Sequence, residues 1–173
     1  MKSNVCRNWL SVLESSFLVY RLKPYCSNIS KRVVKSPKVY FTEPGLVAYL
    51  LGIETTEQMS RDPLRGQLFE NMVVMEAYKR FSNEGRDPRL SFLRTEKGFE
   101  IDLMLSSGAR VQPIEVKSAM TFDKSLVRNL VTYATECREV LSPQLIYDGD
   151  EIKSFGDCKI DIVNFRDKLR MHS

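Results

Sequence analysis

Histidine is almost missing from this 173-residue chain: the one copy, His172, is next to the last residue. That scarcity excludes Ser-His and Cys-His nucleophilic chemistry and histidine-based metal sites. The four cysteines, Cys6, Cys26, Cys137 and Cys158, include no C-x-x-C pair. They therefore read as reduced thiols in a cytoplasmic protein, neither a zinc site nor a disulfide framework. No G-x-x-x-x-G-K-[ST] run occurs, so the chain carries no P-loop and no ATP site of its own. Apolar runs fall far short of a membrane span, and no charged-then-apolar leader opens the chain. A soluble protein without a membrane partner is expected. The net charge of +4 permits contact with nucleic acid without demanding it.

What is present centres on Arg94 to Ser118, RTEKGFEIDLMLSSGARVQPIEVKS. Ile101, Leu103 and Leu105 alternate with Glu100, Asp102 and Met104. After a Ser106-Ser107-Gly108 turn, Ile114 and Val116 alternate with Glu115 and Lys117. Period-two patterning on both sides of a glycine-containing turn predicts a β-hairpin. With Ser107-Gly108 as a two-residue loop, Asp102 faces Pro113 and Glu100 faces Glu115. Glu100, Asp102, Glu115 and Lys117 then share one face, while Ile101, Leu103, Leu105, Ile114 and Val116 share the core face. Opposed carboxylates repel. A divalent cation between Asp102 and Glu115 would relieve that repulsion, and hard cations such as magnesium favour carboxylate oxygens. Lys117 could then hold an attacking water or a phosphoryl oxygen.

Asp102 followed by Glu115-Val116-Lys117 resembles the PD-(D/E)XK nuclease signature. That resemblance implies Asp102, Glu115 and Lys117 as catalytic residues, with Asp102 and Glu115 holding magnesium or manganese. An E-x-K strand is also an ordinary solvated sheet face, and that reading stays open. Glu70 adds a third acid. It lies among Gly66, Val73, Val74, Ala77 and Phe81 at helical spacing, on a helix expected from Asp62-Pro63 to about Phe81. An acid in an apolar stripe needs a partner, either an arginine at the boundary or a metal that Glu70 helps to hold. Gly66 would allow close approach of this helix to its neighbour.

Upstream, Asn8 to Glu14 predicts a short amphipathic helix and Phe17 to Leu22 a strand. A strand interrupted at Pro37 returns from there. The helix and basic hairpin resemble a winged-helix element. Lys31, Arg32, Lys35 and Lys38 are its candidate phosphate contacts, although basic residues also keep an exposed strand edge from aggregating. Residues 1–61 are therefore expected to form a winged-helix-like segment, with a polar linker at Glu54 to Asp62. Residues 62–173 are expected to form a nuclease-like domain of order αβββαβ around a mixed sheet, an α/β fold. Its second helix should span Thr121 to about Leu141, and a strand–helix–strand step should join parallel strands.

Four runs in order, KRVVKSPKVYFTEPGLVAYLLGI, DPLRGQLFENMVV, GFEIDLML and PIEVKSAMT, resemble the C-terminal region of a bacterial and archaeal family of AAA-type ATPases. In that family an ATPase module precedes a winged-helix-like segment and a restriction-endonuclease-like domain. Glu43 stands where an aspartate is commoner. No ATPase module is present here, so the chain is either a fragment or a stand-alone remnant. The resemblance implies a nuclease-like region that binds DNA and cuts it with a divalent metal. The competing expectation is a non-catalytic assembly module that docks the ATPase or another protein, its acids forming a structural polar cluster. An RNA-directed nuclease would use the same residues.

Overall fold

The computed structural model describes residues 2–25, 33–137, 139–150 and 153–167. Lys31 and Arg32, two of the expected phosphate contacts, lie outside the described residues. Helix α1 (Lys2–Ser15) leads into strand β1 (Val19–Pro24), and β2 (Lys38–Phe41) returns antiparallel to it, from Val19↔Phe41 to Leu22↔Lys38. Two short helices follow, α2 (Pro44–Leu50) and α3 (Thr56–Arg61), and then the long helix α4 (Arg65–Asn83). Strands β3 (Leu90–Arg94), β4 (Glu100–Ser107) and β5 (Arg110–Lys117) form an antiparallel meander. A 3₁₀ turn at Lys124–Val127 and helix α5 (Arg128–Glu136) cross over to β6 (Gln144–Tyr147), which is parallel to β5. Strands β7 (Lys153–Phe155) and β8 (Ile160–Asn164) complete one mixed sheet of order β2-β1-β3-β4-β5-β6-β8-β7. Among the described residues, no helix is long and apolar enough to cross a membrane.

The expected wing is no free-standing ribbon. Strand β1 pairs parallel with β3 through Lys23↔Ser91 and Pro24↔Phe92, so β1 and β2 are the edge of the main sheet. The physical reason is the apolar side of the ribbon. Leu22 and Tyr40 are buried in the same core as Val73, Val74, Phe92 and Leu103, and a solvated wing would leave them in water. Helix α4 covers this face of the sheet. The opposite face carries Ile101, Met104, Leu145, Ile160 and Ile162 beneath Leu130 and Tyr133 of α5. Each fully buried side chain of this size contributes about 1.5–3 kcal/mol.

Three local expectations change. The segment read as a polar linker contains α3, closed by a reciprocal capping box: the Gln58 amide donates to Thr55 Oγ1, while Gln58 Oε1 accepts from the Thr55 amide. Helix α4 starts three residues after Asp62, whose carboxylate accepts the Leu64 amide and closes a turn through Pro63. The helix expected to reach Leu141 stops at Glu136. Val140 instead makes a parallel bridge to Val111, and the Leu141 amide donates to Val111 O at 2.8 Å. Asp123 caps the 3₁₀ turn that precedes α5, accepting from the Ser125 amide.

The hairpin forms with its register moved. Ser107 pairs with Arg110, so Gly108-Ala109 is the loop, and Gly108 takes the first position with φ of 60°. There glycine is needed. Pro113 therefore faces Met104, and the ladder ends at Leu103↔Ile114, one step short of Asp102 and Glu115. The slip is by two residues in the pairing, an even number, which preserves the face assignment that a one-residue slip reverses. Beyond one irregularity in β4 the sides exchange, for Ile101 and for Glu100 next to it. Between Ser91↔Met104 and Leu93↔Ile101, two residues of β4 (Asp102 and Leu103) oppose one of β3 (Phe92). This is a β-bulge. It returns Ile101 to the α5 side with Met104, away from Leu103.

Candidate functional site

At the bulge, strands β4 and β5 stop exchanging backbone partners at Leu103↔Ile114, and a side chain takes over. Asp102 Oδ2 accepts the Val116 amide at 3.0 Å and the Lys117 ammonium at 3.0 Å. Lys117 Nζ also lies 2.6 Å from Glu115 Oε2. Asn129 of α5 donates to Glu115 Oε1 at 3.4 Å and to the Glu100 carbonyl at 2.9 Å. Asp102, Glu115 and Lys117 thus meet at one spot.

The second half of the cluster was not foreseen. Lys38, the first residue of β2, places Nζ 2.6 Å from Glu100 Oε1, 2.8 Å from Glu70 Oε1 and 3.8 Å from Asp102 Oδ1. The Tyr40 hydroxyl, two residues on and on the same side of β2, donates to Glu70 Oε1 at 2.6 Å. Arg94 grips Glu100 with two parallel bonds of 2.8 Å. The partner of Glu70 is therefore a lysine and a tyrosine, not an arginine. Lys38, expected to touch phosphate, already has three carboxylate neighbours. Lys35 is exposed. A signal for Lys38 and Tyr40 did exist in KVYF, where two polar-tipped residues alternate with apolar ones. Nothing in the sequence pointed to Asn129.

Burial and charge set the protonation states. Glu115 is almost fully buried, and burial together with the neighbouring Asp102 carboxylate lifts its carboxyl to about 8, although Lys117 pulls the other way. Burial also opposes ionisation of Asp102. The Lys117 charge, the hydrogen bond from Glu115 and the Val116 amide outweigh it and hold Asp102 below the usual range. Lys117 loses to burial but gains more from Asp102 and Glu115, so its ammonium is held well above its ordinary value. Lys38 shifts upward in the same way, burial being outweighed by Glu70 and Glu100. Near neutral pH burial and the Asp102 charge favour the protonated form of Glu115. Three carboxylates then remain, Glu70, Glu100 and Asp102, against three cations, Lys38, Arg94 and Lys117. The charge closes internally.

A divalent ion at Asp102, Glu115 and Glu70 meets an obstacle in this donor set. Among the described residues, no group of three or more His, Cys, Asp or Glu side chains is arranged to hold a metal. An ammonium stands between Glu70 and Asp102, and a second, that of Lys117, lies against both Asp102 and Glu115. As arranged, these residues do not fit magnesium or manganese. Gly66, expected to permit close helix approach, has only Ser118 Oγ near the position of an added Cβ, at an ordinary 3.8 Å.

Residues 65–166 match a family described as Domain of unknown function (DUF4143), and residues 1–57 match one described as Domain of unknown function (DUF8612). The DUF4143 match covers more than half of the chain, which belongs to that family. Among curated proteins it is similar to Uncharacterized protein Rv2008c of Mycobacterium tuberculosis (strain ATCC 25618 / H37Rv) and Uncharacterized protein Mb2031c of Mycobacterium bovis (strain ATCC BAA-935 / AF2122/97). Each is 28% identical over 162 residues, covering 87% of this chain and 36% of the relative. The chain thus spans about a third of the length of these relatives. No solved structure matches it.

Proposed function

We propose that this chain is a nuclease-like scaffold working as a binding and assembly module, the C-terminal part of a longer ATPase-containing protein, with its acidic cluster serving as a structural staple. One observation carries this reading: Lys38 sits among Glu70, Glu100 and Asp102 where a catalytic ion would be needed. The staple ties β2 to α4 and β4, and so fixes the N-terminal segment on the domain. A protein partner is favoured by apolar side chains left in solvent. Helix α1 exposes Val5, Trp9 and Val12, spaced by four and three residues along one side, and α2 exposes Tyr49 and Leu50. The docked partner is the AAA-type ATPase module that the motif resemblance implies, in keeping with relatives of nearly three times the matched length.

A second reading, phosphodiester cleavage of DNA with magnesium or manganese, draws on the convergence of Asp102, Glu115 and Lys117 at one end of β5, with Glu70 one lysine away. A plasmid-nicking assay separates the two readings, run with magnesium, with manganese and with chelator on the wild type and Lys117→Ala. The module reading expects no metal-dependent nicking from either protein. Nicking by the wild type that needs metal and disappears in Lys117→Ala establishes the enzyme and removes the module.

A further inference from the structure

The donor set that rejects a divalent ion has a specific cause. Lys38 is the first residue of an edge strand, and its ammonium is held by acids from two other elements: Glu70 from α4, Glu100 and Asp102 from β4. Its Nζ also lies 5.5 Å from the centre of the Phe92 ring, an added attraction for a cation. The site opens onto a cleft of about 520 Å³, whose polar wall includes Lys38, Glu70, Arg94, Glu100 and Asp102. We infer that the Lys38 ammonium is a built-in cation that takes the place of a divalent ion, so that the cleft binds such an ion only when Lys38 is withdrawn or replaced. This rests on the staple reading above and deepens it by naming what keeps the site closed.

The chemistry of the two cations supports the substitution. An ammonium offers three N–H donors at hydrogen-bond distance, and the contacts of 2.6 and 2.8 Å are of that kind. A magnesium ion needs oxygens at about 2.0–2.1 Å in octahedral array and keeps several waters, for which a cleft of this size has room once the lysine has gone. Arg94 holds Glu100 and Tyr40 holds Glu70, so both carboxylates stay aimed at the vacated position. Without the ammonium, Glu70, Glu100 and Asp102 face one another with their nearest shared counter-charge removed. Arg94 and Lys117 each answer one of these acids, Glu100 and Asp102, whereas a divalent ion would answer all three at once.

The test uses Mn²⁺ as probe on the wild type, Lys38→Met and the double variant Lys38→Met/Glu70→Gln. Free-ion electron paramagnetic resonance counts bound manganese, and thermal unfolding with and without the ion reports stability. Lys38→Met is expected to unfold at lower temperature, to recover when manganese is added, and to bind about one ion per chain. Its affinity should exceed that of the wild type by at least about tenfold. The double variant should fold without the ion and lose most of that binding. Two results overturn the inference: manganese binding by the wild type as tight as by Lys38→Met, or a Lys38→Met protein that neither binds manganese nor regains its fold in its presence. Either leaves the module reading to be judged separately, since that reading falls on plasmid nicking and not on ion binding.

Discussion

The carboxylate of Asp102 on β4 accepts the amide hydrogen of Val116 on β5 at 3.0 Å, standing in for a backbone acceptor where the two strands part. The same oxygen holds Lys117. Asp102→Ala therefore strands a buried amide and removes the main counter-charge of a half-buried ammonium. It should cost about 3–5 kcal/mol, the usual penalty for breaking a buried pair from one side. Asp102→Asn keeps an acceptor for the amide and should cost less than half as much. Urea unfolding of both variants checks this. Equal and small losses would show that the carboxylate is not what closes the strand junction.

Glu115 gives the protein a pH dependence of unusual sign for a carboxylate. Its folded value is raised from 4.5 to about 8, so between those limits the folded chain binds more protons than the unfolded one. Stability therefore falls as pH rises from about 4.5 to about 8, by up to about 1.4 kcal/mol per pH unit, and levels off above. Glu115→Gln keeps an N–H donor toward Asp102 and removes the titration. Its stability should be flatter across that window, and above pH 8 it should exceed that of the wild type. Denaturant midpoints measured at intervals from pH 5 to 9 test the slope. A wild-type midpoint that rises with pH contradicts the raised Glu115 carboxyl.

How far the sequence could be read depended on whether local pattern or distant partners decided the outcome. Alternation alone located β4 and β5, and it brought Asp102, Glu115 and Lys117 to one face even though the loop was misplaced, because the register moved by an even step. The element order from α4 to β6 was legible for the same reason. The Phe92 bulge was not legible, since it depends on what β3 presents to β4. Nor was the role of Lys38. A lysine in a basic stretch looks like a surface charge until tertiary packing brings Glu70 and Glu100 to it from 32 and 62 residues away. The Thr55/Gln58 box was visible in TTEQ and was passed over because its surroundings are polar.

Asn71 should behave as a second fastener of the β2 edge, independent of charge. Its side-chain amide donates to Phe41 O at 2.8 Å and its Oδ1 accepts from the Phe41 amide at 2.8 Å, so it pairs with a strand end as another strand would. The residue is buried. Asn71→Ala leaves both backbone groups unpaired and should cost about 2–3 kcal/mol. The loss should be local as well as global, with the Phe41 amide exchanging its hydrogen for deuterium at least about tenfold faster than in the wild type. Unchanged exchange at Phe41 would assign the anchoring of β2 to the Lys38 cluster alone.

Two glycines make opposite predictions. At Gly149 an added Cβ would come within 2.3 Å of the Met120 carbonyl oxygen and 2.4 Å of Tyr147 Cε2. The first of these is backbone, and the residue is also fixed by Asn164, whose Nδ2 donates to the Gly149 carbonyl at 2.7 Å. Neither neighbour can yield cheaply, so Gly149→Ala should destabilise by at least about 1–3 kcal/mol, the cost of forcing atoms into filled space. Gly66 lies in the first turn of α4, where a Cβ meets only Ser118 Oγ at 3.8 Å. Alanine there restores helix propensity without a clash and should stabilise by up to about 1 kcal/mol. Thermal unfolding of the two variants side by side decides the point: a destabilised Gly66→Ala would mean that α4 needs the glycine for its approach to the end of β5.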